Sequence, residues 1–264
     1  MELNLLYFII FIFGLCFGSF LNVIVYRLPK NISITSPPSR CPSCSYRLGI
    51  VELLPLLGYF ILRGRCRNCN VRISPRYPLI EFATGILFVA VFYRFGLTLE
   101  FLFYLVLLYL LFAITQIDLE KRIVPNKLVA AGLIAGLLLY LPQLISYLTP
   151  VNPLFVAERA ITDGLLGFLL GGGVMLVIMI VSRGGMGAGD IKLMAMIGFY
   201  VGLRGTALVM LLGFFFGALV GVSYIILGRL TRKDALPFAP YLALATLVEV
   251  FWGEQLWSFY INLY

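Results

Sequence analysis

Histidine is absent from all 264 residues. That removes Ser-His-Asp and Cys-His catalysis, histidine-ligated metals and H-E-x-x-H metalloprotease chemistry together. Any proton transfer must use Asp, Glu, Lys, Tyr or Cys. Charge is sparse as well: Asp, Glu, Lys and Arg make up 12% of the chain, while 61% is hydrophobic. A mean hydropathy of +1.01 excludes a soluble domain and marks an all-α polytopic membrane protein. With only 12 acidic residues, each one at the edge of an apolar run asks for a reason.

Eight apolar stretches are spanning candidates: 5–26, 79–95, 97–117, 128–148, 161–182, 191–202, 206–227 and 239–260. The sixth is short against the roughly 20 residues a bilayer requires, so it is broken, tilted or merged with its neighbour. The first stretch has no basic residue before it and no small-residue cleavage site, and reads as a retained helix rather than a signal peptide. Of the 20 Lys and Arg, 17 fall in alternate loops on one side, and only Arg94, Arg159 and Arg204 fall on the other. The basic side is cytoplasmic by the positive-inside rule, which leaves both termini periplasmic in a bacterium. The formal charge of +8 is therefore a topology signal rather than a nucleic-acid footprint.

The one sizeable extramembrane piece is 28–78, between a first helix at 1–27 and a membrane core at 79–264. It holds an apolar interlude at 53–62, too short to span, that packs on the membrane surface or on its own small core. Four of the five cysteines lie here, as Cys41-Pro42-Ser43-Cys44 and Cys66-Arg67-Asn68-Cys69. Two C-x2-C knuckles supply four thiolates to one tetrahedral Zn²⁺, with Gly64 and Asn68 suiting the tight turns. A cytoplasmic location argues against the rival reading of two disulfides. Four protein ligands close the site, so the zinc is structural. The fifth, Cys16, lies in the first helix and reads as packing.

Two aspartates map to the same cytoplasmic edge. Asp118 ends the third stretch, and Asp190 closes Gly184-Gly185-Met186-Gly187-Ala188-Gly189-Asp190. Ionisable groups at a membrane edge mark function, and paired carboxylates share one proton and activate water. Bland readings stand beside this: Asp190 as a helix N-cap, Asp118 as a solvated loop charge paired with Lys121 or Arg122. Gly187 and Gly189 let a substrate backbone approach closely, with Lys192 beside them. Gly171-Gly172-Gly173 reads as helix packing.

Six segments, in order and over nearly the whole chain, resemble the type IV prepilin peptidase family, bifunctional leader peptidase/N-methyltransferases of the G-x-G-D aspartyl protease group. They are Gly18-Ser19-Phe20-Leu21-Asn22-Val23 with Arg27-Leu28-Pro29; the paired knuckles; Arg76-Tyr77-Pro78-Leu79-Ile80-Glu81; Asp118 through Pro125-Asn126; Gly187-Ala188-Gly189-Asp190-Ile191-Lys192-Leu193; and Pro237-Phe238-Ala239-Pro240-Tyr241. Ala239 stands where the family has glycine. The resemblance implies a membrane enzyme that cuts a short basic leader from prepilins and pseudopilins. It then methylates the new N-terminal amine with S-adenosylmethionine. Asp118 and Asp190 match the catalytic aspartates. The methyl donor enters by resemblance alone, since no Rossmann-type fingerprint is present. Gly64-Arg65 matches a glycine-basic pair that the family associates with methylation; a knuckle turn is the equal alternative. A related protease acting on other membrane substrates, and a proton-relaying transporter or scaffold, are the other function classes weighed.

The charge asymmetry makes a direct prediction. Reporter fusions at Ser36, Lys121 and Thr231 should score cytoplasmic and one at Val151 periplasmic; an outward signal at Ser36 would overturn the scheme.

Overall fold

The computed structural model describes residues 2–148, 161–182, 185–229 and 236–262. The loop 149–159, expected to face outward, and Gly184, Arg183, Arg232 and Lys233 lie outside them. The chain divides into two compact units, Met1–Gly96 and Leu97–Tyr264.

In the first unit α1 (Glu2–Arg27) runs into a 3₁₀ turn (Leu28–Lys30), and α4 (Arg76–Phe95) returns beside it. Close approach is built in: a Cβ on Gly18 would sit 2.6 Å from the Glu81 Cα, and one on Gly14 2.7 Å from that of Gly85. Between the long helices lie the knuckles and two short helices, α2 (Ile50–Leu53) and α3 (Leu57–Ile61). The apolar interlude is therefore helical, but it does not form a core. Leu57, Phe60 and Ile61 are exposed, which favours the membrane-surface alternative. Cys16 is exposed on α1, not packed. A helix facing lipid needs no protein partner at such a position.

The second unit holds α5 (Leu99–Lys121), α6 (Asn126–Leu148), α7 (Ile161–Val181), α8 (Ala188–Ile226) and α9 (Ala239–Ile261). The Thr98 hydroxyl caps α5 by accepting the Phe101 N–H at 3.2 Å. α5 ends where Arg122 adopts a left-handed φ of 55° and returns its N–H to the Asp118 carbonyl. α7 packs along the first half of α8 through glycines. A Cβ at Gly171 would lie 2.7 Å from the Met194 carbonyl, and Gly167 meets the Gly198 backbone. Of the expected glycine triplet, Gly171 and Gly172 face α8, whereas Gly173 faces open space.

Among the described residues, five helices are long and apolar enough to cross a bilayer: α1, α4, α5, α7 and α8. The expected sixth and seventh stretches are both parts of α8, which is broken at Gly202 (φ 71°, ψ −175°). Both ends of α8 reach the Asp118 end of the unit. Gly189 lies against Val124, and Gly217 and Gly221 face Phe238 and Leu236. The chain must therefore double back at Gly202, giving a hairpin rather than one rod. Its first arm, 188–201, spans about 21 Å at 1.5 Å per residue, less than the roughly 30 Å hydrocarbon core.

Gly202 occupies a region of backbone space open essentially to glycine alone. A Cβ there would also collide with the Asp163 carboxylate, which accepts the Leu203 N–H at 3.0 Å and so caps the second arm. Gly202→Ala should therefore cost at least the ~1–3 kcal/mol of such strain. The check is thermal unfolding in detergent; an unchanged midpoint would contradict the hairpin.

Candidate active site and metal centre

Asp118 is 4% exposed, near the C-terminal end of α5. A carboxylate there opposes its own helix's dipole. The compensation comes from another helix: Asp118 Oδ2 accepts the Ala239 N–H at 3.1 Å, with the Phe238 N–H also directed at it. Both amides belong to the N-terminus of α9, where unpaired N–H groups point outward. Sequence reasoning had noted the Pro237–Tyr241 motif without giving it this role. Pro240 in the first turn, after an amide-rich entry, was the available signal.

Asp190 is the third residue of α8, half-buried, and the N-cap is Gly187. Asp190 is therefore not the N-cap expected; its carboxyl folds back on the Gly187 backbone N–H from the third helical position, half of a capping box. Asp190 also lies within electrostatic reach of Asp118. Gly189, without a side chain, lets the start of α8 close on the loop that follows Asp118: a Cβ would stand 2.9 Å from the Cβ of Val124. Lys192 Nζ donates to Asn126 Oδ1 at 3.1 Å, tying the start of α8 to the start of α6. Asp118, Asp190, Gly187, Gly189 and Lys192 thus gather at one end of the second unit. Glu120, two residues from Asp118, is exposed.

The other candidate residues belong to the first unit. The sulfurs of Cys41, Cys44, Cys66 and Cys69 lie within 4.8 Å of one another, with Cys41 to Cys69 and Cys44 to Cys66 each 3.9 Å. A tetrahedral Zn²⁺ with Zn–S bonds of about 2.3 Å sets its sulfurs roughly 3.8 Å apart, so the cluster fits that ion. A disulfide would require about 2.05 Å. The Cys44 thiol is lowered to about 6, first by the Tyr46 backbone N–H and then by the Asn68 side chain, and Cys66 is lowered as well, whereas Cys69, despite the Val71 backbone N–H, is raised to about 12 by burial and its cysteine neighbours.

The two knuckles are one motif repeated 25 positions apart. The Cys41 N–H donates to the Tyr46 carbonyl and the Cys66 N–H to that of Val71, both at 2.9 Å; Ser45 and Asn70 donate to the Cys41 and Cys66 carbonyls. Arg40 pairs with Arg47, and Arg65 with Arg72, in matching bridges. The sequence carries this repeat openly as R-C-x2-C-x2-R. Asn68 lies in the turn of the second knuckle, and Gly64 before it is left-handed (φ 66°); the left-handed residue inside each knuckle is Ser45 or Asn70, one past the second cysteine. Arg65, exposed, has its counterpart in Arg40, so the second knuckle accounts for it.

Residues 12–95 match the Bacterial Peptidase A24 N-terminal domain, and residues 105–222 match the Type IV leader peptidase family. The chain is 35% identical over 257 residues to the prepilin leader peptidase/N-methyltransferase of Bacillus subtilis (strain 168), covering 97% of this chain and 98% of that one. The chain belongs to the type IV leader peptidase family. Proteins of the same name from Pseudomonas putida and Aeromonas hydrophila are 34% and 33% identical, over 94% and 97% of this chain and 91% and 94% of theirs. No solved structure matches it.

Metal analysis of the purified protein should find one zinc per chain. Cys66→Ser should lose it and open the 28–78 segment to protease, because structural zinc supplies folding free energy to small domains. Zinc-free protein that keeps the segment protected under reducing conditions would contradict the centre.

Proposed function

We propose that the chain is a membrane-embedded aspartyl endopeptidase that removes the short basic leader of type IV prepilins and pseudopilins at the cytoplasmic membrane face. It then N-methylates the new terminal residue with S-adenosylmethionine. The observation that carries this reading is that Asp118 and Asp190 lie within electrostatic reach of one another at one end of the second unit. One carboxylate takes a proton from water as the water oxygen attacks the scissile carbonyl, while the other, protonated, polarises that carbonyl. The tetrahedral adduct collapses with cleavage of the C–N bond, and the leaving amine receives the proton the first carboxylate accepted. Gly187, exposed at the start of α8, leaves room for an extended substrate backbone, while Gly189 packs on Val124 and Lys192 orders the approach.

The cysteine centre is a structural zinc site in this reading. Methylation belongs with the first unit, and Gly64 bears on it. Counting both arms of α8 together with α6 and α9 gives eight crossings, with both termini periplasmic and the aspartates cytoplasmic. The resemblance extends over the cysteine unit as well as the aspartate core. That favours the bifunctional enzyme over a simpler G-x-G-D protease.

Asp118→Asn and Asp190→Asn should each abolish leader removal from a purified prepilin, with the double variant little worse than either, because the pair works as one unit. Methylation of a pre-cleaved substrate should survive in both, and Glu120→Gln should retain substantial cleavage. Wild-type-like cleavage by Asp190→Asn would reduce Asp190 to a helix cap and remove the proteolytic assignment.

A further inference from the structure

The first unit holds a half-open cavity of about 430 Å³, within the size range of small-molecule sites. Its walls come from α1, the start of α4, both knuckles and the α2–α3 segment. Three features distinguish it from a packing gap.

Glu52 lines it with one oxygen already used. Oε2 accepts the Gly49 N–H at 2.6 Å in a capping box, which fixes the side chain. Oε1 is closed off from solvent and has no hydrogen-bond partner. A buried carboxylate oxygen in that position costs stability unless something supplies a donor. Glu81 also lines the cavity, 9% exposed, and is fully engaged: its Oε2 accepts the Leu56 N–H at 2.8 Å, and the Ser19 hydroxyl reaches it as well. That bond holds Leu56 at φ 59° and ψ −53°, a strained conformation for a bulky residue, in the turn joining α2 to α3. The third feature is a mixed lining. Tyr59, Tyr77 and Leu62 offer flat and apolar surface, and Arg72 offers a cation.

We infer that this cavity binds the methyl donor S-adenosylmethionine, with Glu52 Oε1 accepting from a donor group of the ligand. The inference rests on the methyltransferase reading and gives it a site. The ligand's chemistry complements the lining. Its ribose hydroxyls and ammonium are donors for an acceptor that lacks one, its adenine is a plane for aromatic and apolar walls, and its carboxylate suits an arginine. In the transfer, the free amine of the cleaved substrate attacks the methyl carbon. The C–S bond breaks with its electron pair passing to sulfur, leaving S-adenosylhomocysteine and a secondary ammonium that then loses one proton.

The site also explains Gly64 without placing it against the ligand. Gly64 does not line the cavity. It sits at φ 66°, and a Cβ there would lie 3.0 Å from the Tyr59 hydroxyl. It backs the tyrosine that does line the cavity.

Binding of S-adenosylmethionine and of S-adenosylhomocysteine to the purified full chain, read by calorimetry, tests this. Glu52→Gln keeps an acceptor for Gly49 but loses the charge, and should weaken binding by about tenfold or more. Leu62→Trp fills the cavity and should do the same, while Glu120→Gln should bind as wild type does. Zinc content and leader cleavage are read on every preparation. If Glu52→Gln loses either, Leu62→Trp decides the question. Wild-type binding retained in both cavity variants overturns the site and leaves the methyltransferase reading intact. A wild-type protein that binds neither compound and transfers no methyl removes that reading and the site together. A Glu52→Gln protein with normal donor binding but a raised KM for leader cleavage assigns the cavity to the peptide and overturns the inference.

Discussion

A buried carboxylate at the wrong end of its own helix has to be held by something else, and in this chain it is the N-terminus of α9. The bond from the Ala239 N–H to Asp118 joins residues 121 positions apart. It fixes where α9 begins, and through α9 where the second arm of α8 must finish. The break at Gly202 then becomes a necessity, because the first arm has to start beside Val124 and the second has to end beside Phe238. Helices that stay apolar along most of their length are brought together at one polar point. At that point the chemistry proposed for the second unit has both its groups.

Glycine does the positioning at that point, and it does so at two places for different reasons. At Gly202 the backbone itself needs a conformation other residues avoid. At Gly189 the requirement is space, since the helix start must come within a methyl group's width of the α5–α6 loop. Removing the side chain costs helix propensity in an apolar arm that packing already stabilises. The compensation is that Asp190 and Asp118 act on one another.

Much of this was legible in the sequence. Apolar runs of bilayer length, four cysteines in two knuckles and two acids at the ends of apolar runs depend on local pattern, and the structure brings each set together. The knuckle repeat is equally local, and it puts a left-handed residue, Ser45 or Asn70, one position past the second cysteine of each knuckle. What sequence could not show depends on distant contacts. Nothing near Asp118 in the chain announces that its partners are the amides of Phe238 and Ala239. A cavity whose wall includes Ser19, Glu52 and Glu81 has no one-dimensional signature. The short 191–202 stretch did announce a break, but the reversal that it makes is a consequence of packing against α7 and α9.

If cleavage depends on the two carboxylates being held together by the close approach of Gly189 to Val124, that approach can be disturbed and repaired. The rate of leader removal from a prepilin is the quantity to follow in Gly189→Ala and in Gly189→Ala/Val124→Gly. The added methyl should displace Asp190 and lower the rate, by as much as ~100-fold for a shift on the order of 1 Å. Deleting the opposing Val124 side chain should restore most of it. A Gly189→Ala protein that cleaves at the wild-type rate would contradict the arrangement, as would a loss that removing the Val124 side chain leaves untouched.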